Sequence, residues 1–176
     1  MKLMEIEGFS FGLFSKPIFK NIRVLYIGGN KIETIQEKFD LPYLELLNLE
    51  KNNIKSLSFL GNCKNLREVF VAKNRIKTMT NLVNLKELIL LDMSGNCIEN
   101  FDDLAILSFN SKLRNLNLRG NPIESKKDFK GNLKKLFPML KDGTLFFEKN
   151  SKYLKYSEIA FNQTMMMDNK FSGSKI

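Results

Sequence analysis

The sequence contains no histidine, which removes imidazole acid–base relays, Ser-His and Cys-His nucleophile pairs and histidine zinc sites. Few other groups are arranged for chemistry. Asp102-Asp103 is an adjacent carboxylate pair, the type that general acid–base work needs, but two solvated acids side by side are the commoner reading. Gly28-Gly29-Asn30-Lys31 has the glycines and lysine of a phosphate loop and lacks its G-K-[ST] ending. Cys63 and Cys97 are the only cysteines, too few for a four-thiolate metal site or a disulfide framework. No catalytic residue, cofactor or metal is expected, and the chain reads as a non-enzyme. What does recur is an amide. Asn30, Asn52, Asn74, Asn96 and Asn121 follow one another at steps of 22, 22, 22 and 25 residues. An amide carries both donors and an acceptor, so its chemistry is the satisfaction of backbone groups.

The elements that must position those asparagines form an internal repeat, L-x-x-L-x-L-x-x-N-x-I. Its copies are Ile22, Leu25, Ile27, Asn30, Ile32; Leu44, Leu47, Leu49, Asn52, Ile54; Leu66, Val69, Val71, Asn74, Ile76; Leu88, Leu91, Met93, Asn96, Ile98; and Leu113, Leu116, Leu118, Asn121, Ile123. A degenerate first copy reads Met1, Met4, Ile6, Phe9, Phe11. Period-two alternation in the L-x-L core predicts a short strand. After the asparagine, apolar residues three apart (Leu57 and Leu60; Met79, Leu82 and Leu85; Phe101, Leu104 and Leu107) predict 3-10 or loop returns. Cys63 takes a leucine position and is expected in the core. One coil has no second layer, so only stacking buries its apolar residues, each stabilising by roughly 1.5–3 kcal/mol.

The chain therefore resembles the leucine-rich repeat proteins of the 22-residue class, a group that includes a phosphatase-1 regulatory subunit, the A-prime protein of a spliceosomal ribonucleoprotein and axonemal dynein-associated light chains. The resemblance implies an α/β solenoid, a right-handed superhelix with a parallel β-sheet on its concave side. Asn121-Pro122-Ile123, Phe129-Lys130 and Phe137-Pro138-Met139-Leu140 resemble that family's carboxy-terminal cap. Phe129, Leu133, Leu136 and Phe137 share one helical face, and Pro138 cannot continue the helix. The expected organisation is six repeats over 1–123, the first degenerate, a cap over 124–145 and a basic, partly flexible tail over 146–176.

On such a strand the residues flanking the central leucine point to the concave face. One column reads Leu3, Val24, Leu46, Glu68, Leu90, Asn115, and the next Glu5, Tyr26, Asn48, Phe70, Asp92, Asn117. Two further columns follow, Glu7, Gly28, Glu50, Ala72, Ser94, Arg119 and Gly8, Gly29, Lys51, Lys73, Gly95, Gly120. This grid holds three bases against five acids, in a chain whose net charge is +9. Val24, Tyr26, Leu46, Phe70 and Leu90 form an apolar ridge with no core to fill, expected to be exposed and to bind a partner protein together with Asn48, Glu68, Asp92, Asn117 and Arg119. The alternative is that the tail folds back over the ridge.

The positive charge lies downstream, with nine lysines against four acids between Glu124 and Tyr156. Lys126, Lys127, Lys130, Lys134 and Lys135 are either a solvated helix face or a contact for an acidic surface or phosphate backbone. No RNA-recognition signature supports the phosphate backbone. The functional expectation is a non-catalytic interaction scaffold or regulatory and assembly subunit, monomeric on its own, binding a protein within a larger complex. The resemblance keeps a spliceosomal A-prime-like role and an axonemal role open beside it, with nucleic-acid contact through the lysines as a further alternative. Without a signal-like leader or an apolar run of about 18 residues, the expected location is cytoplasmic or nuclear, not membrane, and the sequon at Asn162 is expected to be idle.

Overall fold

The structure, a computed structural model, describes residues 20–35 and 39–140. The degenerate first repeat, the last cap residues and the tail lie outside the described residues. Five three-residue strands, β1 (Val24–Tyr26), β2 (Leu46–Asn48), β3 (Glu68–Phe70), β4 (Leu90–Asp92) and β5 (Asn115–Asn117), form one sheet in chain order. Every pairing is parallel. The register carries Val24 through Leu46, Glu68 and Leu90 to Asn115, and Tyr26 through Asn48, Phe70 and Asp92 to Asn117. The first two sequence columns are therefore real rows across the sheet.

The middle row, Leu25, Leu47, Val69, Leu91 and Leu116, points the other way and is buried in a single core with Leu44, Leu66, Leu88, Leu60, Leu82, Leu104 and their equivalents. Returns of 3-10 type span Ser58–Asn62 and Thr80–Asn84, as the spacing of three predicts. The lengthened fifth coil departs from this. Its extra residues form a short helix, α1 (Phe101–Ala105), running into a 3-10 turn at Ile106–Phe109, because three more residues give room for one true helical turn. Phe39 and Phe59 pack edge to face, centroids 5.3 Å apart, between adjacent coils.

The cap helix α2 spans Phe129–Leu136. Phe129, Leu133 and Phe137 are buried and Leu136 packs partly buried against the same core. Phe129 stacks at a tilt on Phe101 of α1, 6.3 Å between centroids, so the helix closes the open side of the last described coil, as terminal repeats require.

Candidate functional site

The asparagine corners come first because they set the sheet's spacing. Asn74 is buried; its amide nitrogen donates to the Val71 carbonyl of its own coil at 3.0 Å and to the Leu49 carbonyl of the preceding coil at 3.0 Å. Its oxygen accepts from the Ile54 N–H at 3.0 Å. Asn52, Asn96 and Asn121 repeat this three-way pattern. Asn30 is only half-buried and donates within its own coil, to Ile27 and Gly28 carbonyls. Asn110 was not singled out by the repeat pattern. Fully buried, it donates to the carbonyls of Leu82 at 2.8 Å and Leu85 at 2.9 Å, while its own oxygen is buried without a partner. It stands three residues before Leu113, where Leu41, Cys63 and Leu85 stand before their own leucines; a polar residue in that apolar column was the available signal. The Cys63 thiol is buried, hydrogen-bonds the Leu41 backbone and is pushed up to about 12 by burial, so it is inert as a nucleophile.

The fourth column of the expected grid is not part of the sheet face. Gly29, Lys51, Lys73, Gly95 and Gly120 all hold left-handed backbone, with φ between 56° and 74°. They turn the chain from strand to asparagine corner, a conformation that suits glycine and costs a lysine about 1–2 kcal/mol. The third column belongs to the same turn in three coils. The Glu50, Ser94 and Arg119 N–H groups donate to the side-chain oxygens of Asn48, Asp92 and Asn117 two residues back. Those three expected site residues therefore have a local structural task, an Asx-type turn at the strand end.

What remains on the concave side differs from the expectation in one respect. The ridge is not an exposed surface. Leu46, Phe70 and Leu90 are 7, 3 and 0% exposed and form a second apolar cluster separate from the core, with Tyr26 half-buried against it; Val24 alone is open, at 45%. The Tyr26 hydroxyl and one Glu68 carboxylate oxygen are also buried, without a hydrogen-bond partner among the described residues. Burial, and secondarily the Glu68 charge, pushes the Tyr26 hydroxyl up to about 12. Burial raises the Glu68 carboxyl above its ordinary value, and the Glu50 carboxyl also, against a hydrogen bond from Asn48 that pulls the latter down. The concave face thus couples a buried apolar patch to acids, of which Glu50 is held by Asn48 and by the nearby Lys51 and Lys73, and Asp92 by the Ser94 N–H.

Elsewhere the expected sites stay apart from this face. Lys126, Lys127, Lys130, Lys134 and Lys135 are all exposed around α2. Asp102 and Asp103 lie in the first turn of α1. Among the described residues no three His, Cys, Asp or Glu side chains gather in a metal-binding group, and no described helix is long and apolar enough to cross a membrane.

Parallel strands stacked coil on coil, an asparagine at each corner, buried in four of the five, and a helical end cap define a leucine-rich repeat fold, and the solved structures similar to the chain are of this kind. The Drosophila melanogaster SNF/U2A′ complex contains a chain matched with a TM-score of 0.62 at 22% identity, over 94% of this chain and 98% of that one. A leucine-rich repeat protein of Leptospira interrogans gives a TM-score of 0.56 at 21% identity, over 70% of this chain and 37% of its own. An internalin, InlF, of Listeria monocytogenes gives 0.54 at 26% identity, over 58% of this chain and 30% of its own. The chain thus corresponds to about a third of either bacterial protein. No protein-family model and no curated protein matches the sequence.

Proposed function

We propose that the chain is a non-catalytic scaffold that docks a partner protein on the concave sheet. The observation that carries this is the second apolar cluster, Leu46, Phe70 and Leu90 with Tyr26, built on the sheet face that faces away from the core. A fold needs the first cluster to stand; it does not need the second. Aromatic and aliphatic anchors ringed by polar groups are the usual centre of a protein interface, and Glu50, Glu68 and Asp92 supply an acidic ring that favours a partner with basic groups. The test is capture by the full chain, with prey purified and re-bound. Tyr26→Ala with Glu68→Arg is expected to weaken re-binding by at least about tenfold, roughly 1.4 kcal/mol, while the thermal midpoint moves little. Unchanged re-binding places the docking site off the sheet.

The correspondence over nearly the whole of both chains with a chain of the SNF/U2A′ complex supports a more specific reading, an A-prime-like subunit of an RNA–protein complex. In that case the partner captured is itself an RNA-binding protein, and nuclease treatment leaves the pair intact. Direct nucleic-acid contact by the exposed lysines around α2 is a separate possibility with its own signature, a steep loss of affinity as salt rises.

A further inference from the structure

We propose that the asparagine-corner edge of the coils containing Asn52 and Asn74, with Lys51, Lys55, Lys73, Arg75 and Lys77, is a binding surface for the phosphate backbone of a nucleic-acid duplex. The site is separate from the concave sheet and from the lysines around α2, and it stands whether or not a protein docks on the sheet.

All five bases are exposed, and none is in an ion pair among the described residues. The flank where the chain enters the strands is arranged differently: Arg23 bridges Glu45 and Lys112 bridges Glu87, which also feels Arg67. A surface that needs only solubility mixes the two signs in this way; at the corners one sign is gathered. Glu50 is the one acid of the two corner segments, 50–55 and 72–77, and it is half-buried at the strand end, accepting from the Asn48 amide. Stacking sets the spacing of the bases. The Lys51 N–H donates to the Ala72 carbonyl, so Lys51 stands beside Lys73, about 4.8 Å away across the backbone, where like charges destabilise. Lys55 and Lys77 hold matching places after their own corners. Lys51 and Lys73 also adopt left-handed backbone, φ 56°, where Gly29, Gly95 and Gly120 fill the position in the other described coils. Strain that glycine would relieve, carrying a like-charged pair, is retained where the side chain has a task. The corners beneath are braced by Asn52 and Asn74, each bonded to two coils, so the charges are presented from a rigid base.

The surrounding chemistry selects the ligand. A protein interface centres on apolar anchors and is poor in lysine, and the apolar residues at these corners, Ile54 and Ile76, are buried in the core. A single strand stacks its bases on aromatic side chains, and the two corner segments contain none. Lysines and a forked guanidinium without anchors or stacking platforms fit a row of phosphates, as a duplex presents them.

Fluorescence anisotropy of the full chain with short RNA and DNA duplexes of mixed sequence tests this. Binding is expected to depend little on sequence and to fall steeply with salt. Lys51→Gly/Lys73→Gly leaves a backbone that glycine accepts; it is expected to weaken binding at least about tenfold at about 0.1 M salt and to lower the log–log salt slope by about 1.8. Lys55→Gln/Arg75→Gln/Lys77→Gln is expected to do at least as much, and decides the matter if the first variant perturbs folding. Lys64→Gln/Lys86→Gln, at exposed lysines on the strand-entry flank, removes the same charge as the glycine pair and is expected to change affinity by no more than about twofold. An equal loss there would mean that net charge alone attracts the duplex, and overturns the proposal. Absence of duplex binding by the wild type overturns it, as does a loss confined to Lys126→Gln/Lys127→Gln/Lys130→Gln, which would place the contact on the cap. Binding to polyglutamate as tight as to duplex, or to phosphatidylserine vesicles and not to duplex, overturns it in favour of an acidic protein or a membrane surface. Partner capture through Tyr26 and Glu68 is expected to survive both corner variants, so the two sites fail separately.

Discussion

The asparagine corners and the concave sheet face are built by the same coils and obey opposite rules. At the corners, one residue type recurs and makes the same bonds each time: Asn52, Asn74, Asn96 and Asn121 each tie their own coil to the one before. Across the sheet face no row repeats; Tyr26, Asn48, Phe70, Asp92 and Asn117 share one register line. A position whose task is the same in every coil converges on one side chain, and a position free of that task is available for recognition. The comparison teaches where to look: function sits in the rows that break the repeat.

The comparison breaks hardest at the corner. Asn74→Leu removes bonds to at least three backbone groups in a buried site, and at about 1–3 kcal/mol per orphaned group the expected loss is about 4 kcal/mol or more in denaturant unfolding. Asn30→Leu, at a half-buried corner whose bonds among the described residues stay within its own coil, is expected to cost about 1 kcal/mol. Equal losses at the two positions would mean that the inter-coil bonds contribute nothing special.

Next is the contrast between the two apolar clusters. Phe59→Ala in the main core, where Phe59 meets Phe39 edge to face, is expected to cost about 3–5 kcal/mol. Phe70→Ala, as deeply buried but backed by sheet on one side only, is expected to cost about 2 kcal/mol. A near-zero cost at Phe70 would mean that burial on the concave face contributes little stability.

The same division explains what the sequence made legible. The corner and core residues were readable because a repeat shows each position five times, so Leu47, Val69 and Leu91 identify one another by spacing. The two strand rows of the concave face were readable for the same reason. Burial of Leu46, Phe70 and Leu90 was not, because it depends on contacts outside each residue's own coil, and no spacing within a coil encodes those. The turn positions read as part of the sheet because glycine at 29, 95 and 120 gives way to lysine at 51 and 73, and lysine on a strand end resembles a solvent-facing residue. Asn110 was missed because it occurs in one coil only, the long one.

Lys73 carries a smaller prediction. Its φ of 56° is the conformation its neighbours Gly95 and Gly120 adopt without strain, so Lys73→Gly relieves about 1 kcal/mol of left-handed backbone, less the added chain entropy of glycine. The net gain is at most about 0.5 kcal/mol, so a rise of about one degree in thermal midpoint is the expected outcome. Gly95→Lys, the reverse change, is expected to lower it, since the backbone there is at φ 63° and a Cβ would meet Lys73 only at ordinary contact distance. If both changes lower the midpoint, the lysine at 73 is held by contacts that outweigh its strain.

The smallest effect, on Glu68, separates charge from packing on the concave face. Burial raises its carboxyl in the folded chain above the ordinary 4.5, so the folded state binds a proton more readily than the unfolded one. Stability therefore falls as pH rises from the unfolded value through the folded one, and the ionised carboxylate is a net cost at neutral pH. Glu68→Gln removes that cost while keeping the shape, and is expected to raise the thermal midpoint at about pH 7 and to leave it unchanged at about pH 3, where the wild-type carboxyl is protonated in both states. The Tyr26 hydroxyl sharpens the reading: with Glu68 neutralised, the coulombic part of its upward shift disappears and only the part due to burial remains, so its alkaline titration should move down slightly and stay above the usual 10. A tyrosine that returns fully to its ordinary value in Glu68→Gln would mean that charge, and not exclusion of water, governs this face.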